Sequence, residues 1–233
     1  MSEAGVKRAD LLRLLLRDTT TSTHGRGWVV RAVDGGEFFL AEGVVRVPPG
    51  LACAMVRDAD LTPLAGSLAE WKVTRKDAAS SPPNFARCVQ YTSRLPWPFA
   101  NRNFEVESWF LPSTSLPPHL ARACVYVSQT PEATGRSPLR LKNVDGVDGD
   151  VEFSGYCFMS VPGSPEKCFI RRVISVDLHM PLPKWMLRSS FLREFESDFV
   201  WMDRPPVSAT DALRERIASD PAYVHYFTRS VIQ

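Results

Sequence analysis

Five cysteines (Cys53, Cys88, Cys124, Cys157, Cys168) and four histidines (His24, His119, His179, His225) offer the richest chemistry in this sequence. The cysteines are odd in number, scattered and without a C-x-x-C pair, which predicts reduced thiols and neither a disulfide framework nor a zinc site. The histidines are equally dispersed and lack H-E-x-x-H spacing, so no metal is expected. There is no G-x-S-x-G elbow, no phosphate loop and no dinucleotide fingerprint, and no cofactor is expected. The best candidates for an acid or base are Arg172, Asp177 and His179 at the end of one predicted strand, where they form no recognisable constellation. Arg171 and Arg172 stand mid-strand between apolar neighbours, and a buried guanidinium needs an anion or an acid beside it.

The elements that must position such residues belong to a globular chain of 233 residues, 44% hydrophobic and 23% charged. That composition excludes disordered, collagenous and coiled-coil classes and suits one large β-rich domain. A formal charge of +2 is too small for a dedicated nucleic-acid binder. The early leucine run is interrupted by Arg13 and is far shorter than the ~20 residues that span a bilayer. It also lacks a signal-peptide cleavage site, and neither a transit peptide nor a lipidation box is read, so a cytoplasmic address is expected.

A short amphipathic helix is predicted over 7–17, followed by a Thr/Ser loop over 19–23. Strands follow at 28–31, 37–40 and 44–47, with Asp34-Gly35-Gly36 as a hairpin turn. Pro48-Pro49 introduces a helix over 50–57, and a second short helix is expected from residue 60. Strands at 71–75, 86–93, 103–111 and 121–129 are separated by polar or proline-rich breaks, which favours an antiparallel meander. Residues 130–150 read as a long break with a brief strand at 139–141. Strands at 151–160 and 167–178 flank a turn over 161–165. The clearest helix runs over 184–202: Leu187, Phe191, Leu192, Phe195, Phe199 and Met202 recur at three- and four-residue steps, with Arg188, Arg193, Glu194 and Asp198 on its polar side. A last helix to about residue 218 is signalled by Ser208 and Asp211, and an aromatic tail runs over 223–227.

Two segments resemble the START (StAR-related lipid transfer) family. One is Arg94-Leu95-Pro96-Trp97-Pro98-Phe99-Ala100-Asn101-Arg102-Asn103-Phe104, a proline turn leading into a strand. The other is Gly163-Ser164-Pro165-Glu166-Lys167 with Ile174-Ser175-Val176-Asp177-Leu178 and Pro183-Lys184-Trp185. With a weaker match from Ala41 to Asp60, the resemblance covers residues 27–204. It implies an α+β helix-grip fold, a curved antiparallel sheet wrapped around a long C-terminal helix and enclosing an apolar, lipid-sized cavity. Residues 1–26 would then be an N-terminal helix and linker, and 205–233 a C-terminal extension without a match. Asn103 stands where the family usually has Asp, which removes an ion pair with the preceding arginine. The carboxylate and arginine that some sterol-type members bury fall, by an ungapped count, at Val89 and Ser108, so a sterol held by such a pair is not expected.

Taking Val89 and Ser108 as inward by the family register, strand alternation adds Tyr91, Phe104, Val106 and Phe110 to a cavity lining. Arg172 joins them as the polar contact, and Phe191, Phe195 and Phe199 form the helical wall. The function this implies is non-catalytic binding or transfer of one lipid, whether sterol, phospholipid or another long-chain lipid, by a monomer that touches membranes transiently and binds no nucleic acid. Trp97 and Phe99 in the proline turn, or the basic leucine-rich first helix, could meet that membrane; packing against the sheet is the plainer expectation. Two other readings stay open: a helix-grip cyclase or hydrolase acting on an apolar substrate, and an interaction scaffold whose cavity is filled by bulky side chains.

Overall fold

A computed structural model describes residues 3–17, 28–33, 38–58, 61, 68–76, 86–95, 99–131, 146–180, 184–220 and 223. The predicted Thr/Ser loop, the hairpin turn at 34–36, the helix from residue 60, the strand at 139–141, Trp97 and the aromatic tail beyond Tyr223 lie outside them. In chain order the elements are α1 Glu3–Leu16, β1 Trp28–Val33, β2 Phe38–Val45, α2 Pro49–Arg57, β3 Leu68–Lys76, β4 Arg87–Ser93, β5 Asn101–Phe110, β6 Cys124–Gln129, β7 Gly146–Asp148, β8 Asp150–Val161, β9 Ser164–Asp177, α3 Lys184–Asp203 and α4 Val207–Ser219.

Eight strands form one path, β1-β2-β9-β8-β6-β5-β4-β3, with every pairing along it antiparallel. The chain is thus α+β with a curved sheet and a C-terminal helix, a helix-grip arrangement. The order departs from a simple meander at one place. After β2 the chain crosses through α2 and starts again at the far edge with β3, so β2 is hydrogen-bonded to β9, the last strand. Within the predicted break at 130–150, β7 pairs parallel with the start of β5, Asn101 opposite Gly146.

Residues directly opposite in a sheet share a face. On the inner face Phe39, Ala41 and Val45 of β2 stand opposite Ile174, Arg172 and Cys168 of β9, and α2 and α3 pack against this side. On the outer face Leu40, Val173, Cys157, Phe153, Val125 and Val127 form a second buried cluster, closed by Leu11 and Leu15 of α1.

The predicted strands at 37–40 and 44–47 are one strand. Gly43 reads as a break, but its missing side chain is a packing requirement: a Cβ there would lie 2.6 Å from the Cβ of Trp28, whose ring stacks on Phe199 of α3. The turn predicted over 161–165 contracts to Pro162-Gly163, where Gly163 takes φ +72°, a conformation glycine adopts without strain. β6 starts at Cys124, three residues later than predicted, because Pro118–Leu120 forms a 3-10 turn. Ser208 is not a cap: α4 begins after Pro206 without a side-chain cap bond.

The outer face is held by charge as well. Arg171, fully buried, donates from Nε to Glu42 Oε1 at 2.6 Å and from Nη1 to the carbonyls of Leu15 and Arg17, tying α1 to β2 and β9. Arg17 and Arg31 approach the same carboxylate at 3.2 and 3.3 Å. Glu42→Ala leaves the Arg171 charge buried without its acid, and a loss of about 3 to 5 kcal/mol is expected. Arg13→Ala, which breaks an exposed pair with Asp10, should leave the melting midpoint nearly unchanged. Thermal or urea unfolding of the two variants checks the contrast.

Candidate inner-face site

β4 and β5 supply one end of the inner face. Period-2 alternation sends Arg87, Val89 and Tyr91 to the same side, and the register sets them opposite Ser108, Val106 and Phe104. Trp71 and Val73 of β3 extend the two rows, Trp71 stacking on Tyr91 at 5.9 Å and Tyr91 on Phe104 at 5.0 Å between ring centroids. Ser108 stands opposite Ser128, and Phe110 opposite Tyr126 at 5.2 Å. Tyr126 is opposite Tyr156, and Tyr156 opposite Arg172. The seven sheet residues predicted to line a cavity, Val89, Tyr91, Phe104, Val106, Ser108, Phe110 and Arg172, therefore share one face from β4 to β9.

α3 covers the other end. Its residues Phe191, Phe195 and Phe199 follow one stripe, and Phe39 of β2 meets the first two at 4.8 and 6.1 Å. Phe195 and Phe199 are buried, whereas Phe191 is half-buried and packs on both inner-face clusters: the β1-β2-β9 core and the Val89, Phe104, Val106 group.

Asp198 corrects the expected polar side of this helix. It lies three residues after Phe195 and next to Phe199, within the apolar stripe, and is 5% exposed. Arg172 Nη1 donates to its Oδ2 at 2.7 Å, with the guanidinium 4.1 Å from the Phe195 ring centroid and 5.0 Å from that of Tyr156. Asp198 Oδ1 has no hydrogen-bond partner among the described residues. Burial lifts the Asp198 carboxyl above its ordinary value, and Arg172 pulls it back only in part. A buried carboxylate and arginine thus exist, but they join α3 to β9 instead of falling at Val89 and Ser108.

A second buried polar group closes the far end. Asp58, at the end of α2, accepts from Arg87 Nη1 at 3.0 Å and from the Tyr223 hydroxyl at 2.6 Å. Arg57 Nη1 donates to Asp220 at 2.9 Å. α4 and Tyr223 are therefore anchored in the core, with Leu213 and Tyr223 fully buried. The sequence singled out none of these polar residues. Arg87 could have been found from alternation with Val89 and Tyr91, while Asp58 and Tyr223 are distant in sequence and carry no local signal.

The remaining chemical candidates separate. His179 lies exposed beyond β9, 3.1 Å from Asp150 and 3.6 Å from Asp177, while Arg172, seven residues before His179, points to the inner face. All five thiols are free and buried; burial pushes Cys157 up to about 12 and Cys124 and Cys168 well above the ordinary thiol value, where a thiol is a poor nucleophile. Arg102, without an acid at Asn103, donates instead to the carbonyls of Leu178 and Ala100 at 2.7 Å, and Asn103 accepts from Thr92 Oγ1.

The fold is START-like. Human STARD10 aligns with a TM-score of 0.65 at 16% identity over 99% of this chain and 89% of that one. The human StAR-related lipid transfer protein 5 aligns at 0.60 and 14% identity over 91% and 97%. The human StarD13 lipid transfer and protein localization domain aligns at 0.55 and 18% over 88% and 99%. No family model and no curated protein sequence matches the chain.

Asp198→Asn, a neutral isostere of the protonated carboxyl that this buried site favours, is expected to cost less than about 1 kcal/mol, and Arg172→Met combined with Asp198→Leu, which replaces the buried pair by apolar side chains, to be near neutral. The raised Asp198 value also sets a pH slope. Below the unfolded carboxyl value both states are protonated and nothing is lost. As pH climbs from there through the raised folded value the unfolded chain releases the proton first, so stability falls. Glu152 and Asp203, both held below the ordinary value, give the opposite slope in both proteins, so urea unfolding across acidic pH should show the native protein losing stability relative to Asp198→Asn as pH rises.

Proposed function

We propose that the protein binds one lipid in an internal cavity between the inner face of the sheet and α3, without catalysis, and carries or presents it at a membrane surface. The observation that supports this most is the single apolar and aromatic face from Trp71 and Val73 through Val89, Tyr91, Phe104 and Val106 to Phe110, with α3 lying across the β1 and β2 end of the same face. A curved sheet closed by a helix at one end can hold an apolar ligand beside the other, and the START-like fold is shared with proteins described as lipid transfer proteins.

In this reading Val89, Tyr91, Phe104, Val106 and Phe110 take up the apolar body of the lipid, Ser108 and Arg172 offer polar contacts, and Phe191, Phe195 and Phe199 form the helical wall. Burial at ~25 cal/mol per Å² of apolar area makes even a ligand with few polar contacts bind tightly. Entry requires the wall to part, and Phe191, half-buried between the two clusters, is the residue on which that parting would turn. No helix among the described residues is long and apolar enough to cross a membrane, so contact with the bilayer would be peripheral. Asp177 and His179 lie together but exposed at the end of β9, away from the inner face where Arg172 is engaged by Asp198, which favours a carrier over an enzyme.

Native mass spectrometry after incubation with a mixed lipid extract is the test. One lipid class retained at one copy per chain is expected. Val106→Trp should lower that retention about tenfold while costing only about 1 to 3 kcal/mol of stability. Protein that retains no lipid, or a Val106→Trp variant that binds as before, would contradict the proposal.

A further inference from the structure

The polar group at the α2 end of the inner face is unbalanced in a specific way. Arg57 and Arg87 are 5% and 4% exposed, yet Arg57 Nε, Arg87 Nε and Arg87 Nη2 have no acceptor among the described residues, and neither has the buried indole Nε1 of Trp71. All four atoms are donors. They belong to one neighbourhood: the Arg87 guanidinium lies 5.8 Å from the Trp71 ring centroid, and Arg57 lies 5.6 Å from that of Phe110, whose strand also carries Ser108 opposite Arg87.

The acids nearby are already engaged. Asp58 takes Arg87 on one oxygen and Tyr223 on the other, and Asp220 takes Arg57. Arg216, its side chain 34% exposed, also approaches Asp58, at 3.7 Å, so the described acids are shared among several guanidiniums. The rings beside the guanidiniums receive their faces and leave the in-plane N–H groups without acceptors. Buried donors without acceptors are costly, and four open donors, three of them on guanidiniums, are matched by an oxyanion, which accepts several charge-assisted bonds at once.

We infer that this end of the inner face, bounded by α2, β3, β4 and β5, binds the oxyanion of an anionic lipid, a phosphate diester or a carboxylate, through Arg87, Arg57 and Trp71 with Ser108 beside them. The inference rests on the lipid-binding reading and orients the cargo: the charged head lies against α2 and β4, and the apolar chain runs along Val89, Val106, Tyr91 and Phe104 toward α3. Arg172, neutralised by Asp198, does not hold the charge.

Native mass spectrometry with dioleoyl phosphatidylglycerol, oleate and dioleoylglycerol offered separately tests this. At least one of the two anions should be retained about tenfold over the neutral diacylglycerol, and which one identifies the oxyanion. Arg87→Lys keeps a charge opposite Asp58 but removes the unpaired fork, and should abolish the preference while leaving diacylglycerol retention unchanged. Trp71→Phe keeps the ring, removes one donor, and should weaken anion retention about threefold without unfolding the protein. Diacylglycerol bound as well as the anions, or variants without effect, would overturn the anion site and leave the carrier standing. If no lipid is retained at all the carrier reading fails, and NMR of the arginine Nε–H groups with inorganic phosphate decides the anion site alone. A phosphate-dependent shift at Arg87 would then sustain it, and an unchanged spectrum would overturn it.

Discussion

Two adjacent arginines in the middle of β9 set the terms for the rest of the structure. Neighbours in a strand point to opposite faces, so Arg171 and Arg172 bury their charges on opposite sides of one sheet. Each must find an acid there. Arg171 finds Glu42 on β2 and the last carbonyls of α1, and Arg172 finds Asp198 on α3. One strand thereby ties a helix to each face, and β2, which supplies Glu42, becomes the neighbour of β9. Chain order alone would have put β2 beside β3.

The inner face that results has two kinds of end. Near α3 its charge is balanced one for one, Arg172 against Asp198, and aromatic rings from β1, β2 and α3 fill the surroundings. Near α2, Asp220 and Tyr223 partner Arg57 and Asp58, yet Arg57, Arg87 and Trp71 keep N–H groups without acceptors among the described residues. Between the ends lie the Val89 and Val106 row and the Tyr91 and Phe104 row, apolar and aromatic. That gradient, from an end with open guanidinium and indole donors to an aromatic one, has the polarity of an anionic lipid.

Much of this face was legible before the structure. A strict period of two fixes which residues share a side once one inward residue is chosen, so Val89 and Ser108 carried Tyr91, Phe104, Val106 and Phe110 with them. The helix was legible by its stripe, yet the same arithmetic that groups Phe195 and Phe199 includes Asp198, and reading it as solvent-facing followed residue type over position. Gly43 misled for a related reason, since a glycine inside a strand looks like a break until the side chain that crosses it is known. The crossover from β2 to β9, the parallel β7 and the Asp58–Tyr223 contact are pairings between distant residues, and no local pattern encodes them.

The central claim is that a lipid lies against the inner face and nowhere else. Photo-crosslinking with a lipid carrying a diazirine midway along its acyl chain, followed by peptide mapping, tests it most directly. The account predicts adducts on β4 and β5 at Val89, Tyr91, Phe104 or Val106 and on α3 at Phe191 or Phe195. Adducts confined to α1, to the outer-face residues of β8 and β9, or to exposed loops would contradict it.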